Sequence, residues 1–335
     1  MLKSAHENDS LFYHVGGLPM KTGLKISDMV LNDAFEGFYI LSSVRQLVSS
    51  KGSPYLNMML SDCSGTINAM VWDYSGPITD KDKGSVIKVR GSVSEYKGTL
   101  QVTVDRIRLA TNTDNYKISD LVPTAPIDAE QELETVRKLI SSIEDSDYRR
   151  ICEIMLQRYM QSFINIPAAK SVHHSFLHGL LMHTSNMMKT ADHLALQYKD
   201  VVDRSLLLAG AFLHDFGKRL EFTFSDLGLV TSYSIKGQLL GHLVMGAQDV
   251  AEIAQELCIP EEKAMLLQHL ILSHHGIPEY GAAVEPKCAE AELLSYIDLI
   301  DSRMEIYREA FADIEVGKVS ENTVFGLGKR VYRHI

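Results

Sequence analysis

Residues 211–218 read AFLHDFGK, which sets His214 beside Asp215 at the end of an apolar run beginning at Leu206. A buried charge without a partner is costly, so the pair needs a reason. If the run is helical, Leu207, Ala211 and His214 share one stripe, and Asp215 lies about 100° round the axis from His214. The same three- and four-residue steps recur on either side. Upstream, in LHGLLMHTSNMMKTADHLALQY (177–198), His183 falls on a stripe with Leu180, Met187, Ala191 and Leu194. Downstream, His242 aligns with Leu239, Leu243 and Gly246, and His274 with Leu267, Leu270 and Ile271. Asp298 and Asp301 align with Leu294 and Ile297.

A single histidine on an apolar stripe is most simply a hydrogen-bonded core residue, and Asp298 alone is explained by a cap or by Arg303. Five such stripes in succession are harder to explain that way. Each inward imidazole or carboxylate needs a buried partner, and the sequence offers few inward Lys or Arg to serve. One divalent cation satisfies several of them together, and imidazole with carboxylate is the donor mixture that Zn, Mn and Fe accept between facing helices. Two such cations side by side would polarise a phosphoryl group, so a phosphoester would be the natural substrate of a dinuclear centre. Lys218, four residues after His214, either holds a phosphate oxygen or complements a helix end beside Gly217. His173 and His174 either contact substrate or cap the helix that follows, and His178 and His193 read as surface or filler positions. No GxSxG turn occurs, and GLGKR (326–330) lacks the spacing of a phosphate-binding loop.

The first third of the chain has a different texture. GFYILSSVRQLVSS, PYLNMMLSD, GTINAMVWD, GSVIKVRGSVSEY and GTLQVTVDRIRL, between Gly37 and Leu109, are short β-branched and aromatic runs divided by turn residues. Five strands in so short a span predict a small closed barrel. KISDLVPTAPID, with its two prolines, reads as a linker, and helical periodicity follows over 130–145, 147–162, 176–198, 203–217, 237–257, 261–274 and 288–313. The expected domains are therefore an arm at 1–30, a barrel at 31–112, a linker at 113–128 and a helical domain at 129–335. The 335 residues are 45% hydrophobic, enough for two cores. The four cysteines have no CxxC spacing and read as buried thiols. A net charge of −10 argues against coating nucleic acid by bulk electrostatics. The imbalance is local, however: residues 1–120 carry 13 Lys/Arg against 13 Asp/Glu, the remainder 20 against 30. The amino terminus has no export-type apolar core and no window is long and apolar enough to span a bilayer, so a cytoplasmic protein without membrane contact is expected.

The order His183, His214-Asp215, His242, His274-His275, Asp298 resembles the HD superfamily of metal-dependent phosphohydrolases over about residues 165–330. That resemblance implies a first metal held by His183, His214, Asp215 and Asp298. It implies a second held by His242, His274 and His275 with Asp215 bridging, His275 being first or second shell. Residues 35–110 resemble the nucleic-acid-binding OB-fold. Such barrels stack bases on aromatics beside a basic groove, which makes Tyr39, Tyr55, Trp72 and Tyr96 candidate platforms with Arg45, Lys88, Arg90 and Lys97 near the phosphates. For any one aromatic, barrel core competes with that role, most strongly for Trp72; Tyr96, in the Ser94–Gly98 turn, is the best placed for exposure. Barrel and helices in this order are similar to the YhaM family of bacterial 3′→5′ exoribonucleases. The matching stretches are FYILSSVR, PYLNMMLSD, VRGSVSEYKGTLQVTVDRIR, HHSFLHGLLMHT, AGAFLHDFGK, LSHHG and IDLIDSRM. The family implies an OB-fold barrel ahead of an all-α HD domain, Mn²⁺ dependence and release of nucleoside monophosphates. It also implies action on single-stranded RNA, with some on single-stranded DNA; Asp215, and Lys218 by its place one turn after His214, are the candidate catalytic residues. Fe, Co or Zn also suit the donor set, and the oligomeric state, a homo-oligomer included, stays open. The competing expectation is an HD-type nucleotide or cyclic-dinucleotide phosphohydrolase with a regulatory OB domain.

Overall fold

The computed structural model describes residues 14–15, 18–168, 176–225, 227–228 and 230–335; half of the expected arm, and His173 and His174, lie outside them. The chain divides between Pro123 and Thr124 into two compact units.

The first unit is built on five strands, β1 (Ala34–Val48), β2 (Pro54–Asp62), β3 (Gly65–Trp72), β4 (Val86–Tyr96) and β5 (Thr99–Leu109). Adjacent antiparallel pairs β1–β2, β2–β3 and β4–β5 are joined by a parallel β3–β5 contact at Asn68↔Gln101, and β1 pairs with β4 to close the barrel. Period-two alternation makes the core. Phe35, Tyr39 and Leu41 on β1, Leu56, Met58 and Leu60 on β2, and Ile87, Val89 and Val93 on β4 all point inward. Fully burying each such side chain contributes roughly 1.5–3 kcal/mol before chain entropy is charged against it. The segment read as a linker carries a helical turn at Ile118–Leu121, and Leu121, Val122 and Ala125 are buried.

The second unit is helical. Its long helices are α1 (Ala129–Ser141), α2 (Ser146–Asn165), α3 (Gly179–Gln197), α4 (Arg204–Leu213), α5 (Ile235–Glu256), α6 (Glu261–Ser273) and α7 (Ala289–Ala312). Asp128, Asp145 and Asp203 cap α1, α2 and α4, each carboxylate accepting two backbone N–H groups, and Ser234 caps α5. One continuous core joins them, with Leu207, Ala211, Phe212, Leu270 and Leu294 fully enclosed. One short strand pair interrupts the helices, Phe222–Phe224 with Val230–Tyr233, and another, Lys318–Val319 with Tyr332–Arg333, follows the last of them. His178, read as a filler position, begins α3 in the left-handed region at φ 65° and bonds through Nδ1 to the Ile164 carbonyl. All four cysteines are free; Cys152 is buried but Cys258 is exposed, contrary to the expectation for buried thiols. Among the described residues no helix is long and apolar enough to cross a membrane.

Candidate metal centre and nucleic-acid face

The AFLHDFGK stretch closes α4 and turns through Gly217 into a four-residue helix, Lys218–Glu221. Gly217 is required by packing, since a Cβ there would lie 2.1 Å from the carbonyl oxygen of His242. On the facing side, Gly241 breaks α5 at φ 72°, a conformation that favours glycine. The break turns the His242 N–H toward Glu221, whose Oε1 accepts it at 3.2 Å and the His242 Nδ1–H at 3.1 Å.

His183, His214, Asp215, His242 and His274 are buried, and His275 and Asp298 are half-buried. Backbone carbonyls fix two imidazoles unambiguously, because a carbonyl only accepts. His214 Nδ1 donates to Ala211 O at 2.9 Å and His274 Nδ1 to Ile271 O at 2.8 Å, leaving each Nε2 lone pair for the centre. His183 Nδ1 bonds Asp301 Oδ2 at 2.7 Å. The carboxylate of Asp215 lies between two histidine groups. Its Oδ2 is 3.3 Å from His214 Nε2 and 3.7 Å from His183 Nε2; its Oδ1 is 3.5 Å from His242 Nε2 and 3.7 Å from His274 Nε2. Asp298 Oδ1 approaches His183 Nε2 at 3.4 Å. Lys218 Nζ donates to Asp215 Oδ2 at 2.6 Å.

Electrostatics separates the two groups. Burial disfavours the charged form of His183, but hydrogen bonds to Asp298 and Asp301 and their attraction overcome it and raise its pKa to about 10. Burial raises Asp215 and Asp298, yet Lys218 and His214 hold the first, and His183 the second, well below the usual carboxylate range. His274 and His275 are pushed down by burial and by neighbouring imidazoles, so both are neutral donors.

The arrangement fits divalent cations. Buried atoms without a hydrogen-bond partner include Asp215 Oδ1, His242 Nε2, His274 Nε2 and His275 Nδ1, a concentration that an ordinary core does not tolerate. Donor atoms of His183, His214 and Asp215 lie within 4.8 Å of one another, as do those of His242, His274 and His275. Beside them opens a cavity of about 540 Å³ lined by His183, Asp215, Lys218, His274, His275 and Asp298 among others.

Comparison with known proteins agrees with this geometry. Residues 180–303 match the HD domain family and residues 40–110 the family described as an OB-fold nucleic acid binding domain. The chain is 36% identical over 302 residues to the 3′-5′ exoribonuclease YhaM of Bacillus licheniformis, a match covering 88% of this chain and 93% of that protein. The chain belongs to the YhaM family. Solved structures similar to it include the second OB-fold domain of replication protein A from Methanococcus maripaludis, at 19% identity and TM-score 0.22, covering 29% of this chain and 100% of that domain. The OB domain of Ta0387 from Thermoplasma acidophilum is similar at 14% identity and TM-score 0.23, over 29% of this chain and 92% of that one. Scores this low carry no argument of their own.

In this YhaM-family chain the barrel residues separate differently from expectation. Tyr39 is not a platform: it is 1% exposed and its hydroxyl donates to Leu24 O at 2.6 Å. Trp72, the aromatic most readily taken for core, is 52% exposed and packs on Tyr55 with ring centres 5.0 Å apart. Trp72, Lys88 and Arg90 line a groove of about 620 Å³ together with Arg106 and Arg108. Lys88 also pairs with Glu36 at 2.6 Å, and Arg108 with Asp114 at 2.6 Å. Tyr96 is 60% exposed in the β4–β5 turn with Lys97 Nζ 5.4 Å from its ring centre. Arg45 is exposed on β1, and neither it nor the Tyr96–Lys97 pair lines the groove. Sequence reasoning passed over Arg106 and Arg108 as groove residues, although their two-residue spacing on a strand puts both on one face. It assigned no role to Glu221 or Asp301, though Asp301 sits three residues beyond Asp298 on the same stripe.

Proposed function

We propose that the protein is a metal-dependent 3′→5′ exoribonuclease that hydrolyses single-stranded RNA, and to a lesser degree single-stranded DNA, to nucleoside monophosphates in the cytoplasm. The observation that carries this reading is the carboxylate of Asp215 set between His183 and His214 on one side and His242 and His274 on the other, the Nε2 atoms of the latter pair being buried without a partner, in a chain that also has an OB-fold nucleic-acid-binding barrel.

His183, His214, Asp215 and Asp298 would hold one divalent ion and His242, His274 and His275 a second, with Asp215 shared and Mn²⁺ the ion of choice. Such ions supply Lewis-acid stabilisation of phosphoryl oxygens and ease deprotonation of an attacking water. The chain's own groups do the rest. Glu221, Asp301 and two backbone carbonyls fix the ring orientations, so that no reorganisation is needed when substrate arrives. Lys218, at the cavity wall, is placed to turn from Asp215 toward a non-bridging phosphate oxygen. In the barrel, Trp72 with its Tyr55 support offers a stacking face, and Lys88, Arg90, Arg106 and Arg108 track the backbone. Product analysis with a 5′-labelled RNA and Mn²⁺ tests the reading. A ladder shortening from the 3′ end with nucleoside 5′-monophosphate release is expected. Internal cuts, or turnover confined to free nucleotides or cyclic dinucleotides, would refute it.

A further inference from the structure

The cavity beside the histidines has a second wall that the chemistry above leaves unused. On α7, Glu292, Ser295, Tyr296 and Leu299, with Ser295 and Tyr296 each three or four residues from the other two, lie on the face opposite the buried Leu294 and Ile297, and all four line the cavity. Across the loop after His275, Ile277 and Tyr280 line it too. These are large apolar surfaces left in solvent: Tyr296 is 54% exposed, Tyr280 69%, Leu299 42% and Ile277 42%. Among the described residues no protein ring stacks on Tyr280 or Tyr296. Open aromatic faces inside a concavity, two residues from Asp298, call for a flat ligand.

We infer that this wall is the subsite for the 3′-terminal nucleoside, with Tyr296 the stacking surface for its base and Glu292 and Ser295 reading its sugar hydroxyls. The inference rests on the exoribonuclease reading. A chain whose terminal phosphodiester lies at Asp215 must place its last nucleoside in the adjoining space, and a cavity of about 540 Å³ is of the size that takes one small ligand. The polar groups suit a sugar. Ser295 Oγ donates to the Glu292 carbonyl at 2.8 Å and keeps its lone pairs, while the exposed Glu292 carboxylate accepts from hydroxyls. They do not suit another phosphate. The charged wall beyond the histidines consists of Glu285 and Glu292, and the lining cation, Lys218, sits beside Asp215, where it serves the scissile phosphate and not a second one. The subsite therefore selects a free 3′-hydroxyl end over a 3′-phosphate.

The test uses the full chain with Mn²⁺ and three 5′-labelled oligoribonucleotides alike except at the last position, which ends in a 3′-hydroxyl, a 3′-phosphate or an abasic sugar. Loss of one base–aromatic stack lowers kcat/KM about tenfold, so both the abasic end and Tyr296→Ala should do so, chiefly through KM, and together should cost little more than either alone. Tyr296→Phe should keep most of the activity. The 3′-phosphate end should be cleaved at least about tenfold more slowly than the hydroxyl end. Calorimetry gives a readout without turnover: adenosine 5′-monophosphate should bind the metal-stripped protein more tightly than ribose 5-phosphate, and Tyr296→Ala should erase the difference. Equal cost of Tyr296→Ala on intact and abasic ends, or equal rates on hydroxyl and phosphate ends, overturns the subsite. Should Tyr296→Ala not fold, the wild-type comparison of the three ends decides alone. A wild type inactive on every RNA end but active on free nucleotides would instead bring down the exoribonuclease reading itself.

Discussion

The helical unit hides its reactive side chains and the barrel displays them. Around Asp215 the imidazoles are enclosed, oriented by carbonyls and carboxylates, and stripped of alternatives. Around Trp72 the rings and guanidinium groups lie open to solvent, with ion pairs such as Arg108–Asp114 that salt screens easily. A centre that stabilises a transition state gains from rigidity, whereas a surface that must pass a strand of any sequence gains from looseness. Substitutions should therefore act steeply in one region and gradually in the other.

The sharpest challenge to this contrast is Asp215→Ala, which removes the group common to both histidine clusters. Hydrolysis of labelled RNA should fall by about four orders of magnitude or more while single-strand affinity, read by anisotropy, stays within about threefold. A variant that still degrades RNA with added metal would show the cluster is not the reaction centre. Next come the residues behind the histidines. Glu221→Gln and Asp301→Asn should each cost about 10–100-fold in metal affinity or rate, measured by Mn²⁺ titration of activity and by metal content of the purified protein. Effects confined to stability would make them props only. In the barrel, Trp72→Ala should weaken binding of a long strand about tenfold and raise the salt sensitivity of what remains, with dinucleotide turnover nearly unchanged. A matching loss on the dinucleotide would mean the barrel shapes the reaction itself.

The smallest effect tests the scaffold. Asp145 caps α2 and receives Lys263 Nζ at 2.6 Å; burial alone would raise its pKa, but Lys263 and two backbone N–H groups lower it. A carboxylate depressed on folding contributes stability above its unfolded pKa and loses it as pH falls through the folded value. Asp145→Asn should cost about 1 kcal/mol near neutrality, and the difference from wild type should shrink in acid below the ordinary Asp range, as thermal unfolding scans would reveal.

The side chains gathered around Asp215 were legible because burial imposes a period. Each of His183, His214, His242 and His274 stood on an apolar helical stripe, and no core tolerates so many polar intruders without a shared reason. Their supports were not legible in the same way, since Glu221 reaches His242 only after Gly217 lets two backbones touch and Gly241 turns a helix. The aromatic reversal has a simpler cause. Tyr39 shares strand parity with Phe35 and Leu41 and so faces in; Trp72 is out of step with Ile67, Ala69 and Val71 and so faces out. Residue type suggested one thing and the pleat decided another. The walls around Tyr296 were invisible for a different reason, because a helix face that lines a cavity looks in sequence like any half-exposed surface.

The ammonium of Lys218 resting on Asp215 has a consequence for how the molecule is made. Domains whose ligands repel one another collapse only around their ion and come apart when a chelator removes it. Here a tethered cation already offsets the charge of Asp215, which would lower the cost of folding before any ion arrives. Scarcity of a particular metal in the cell would then silence the enzyme without destroying it, leaving a folded reserve ready to be switched on by supply.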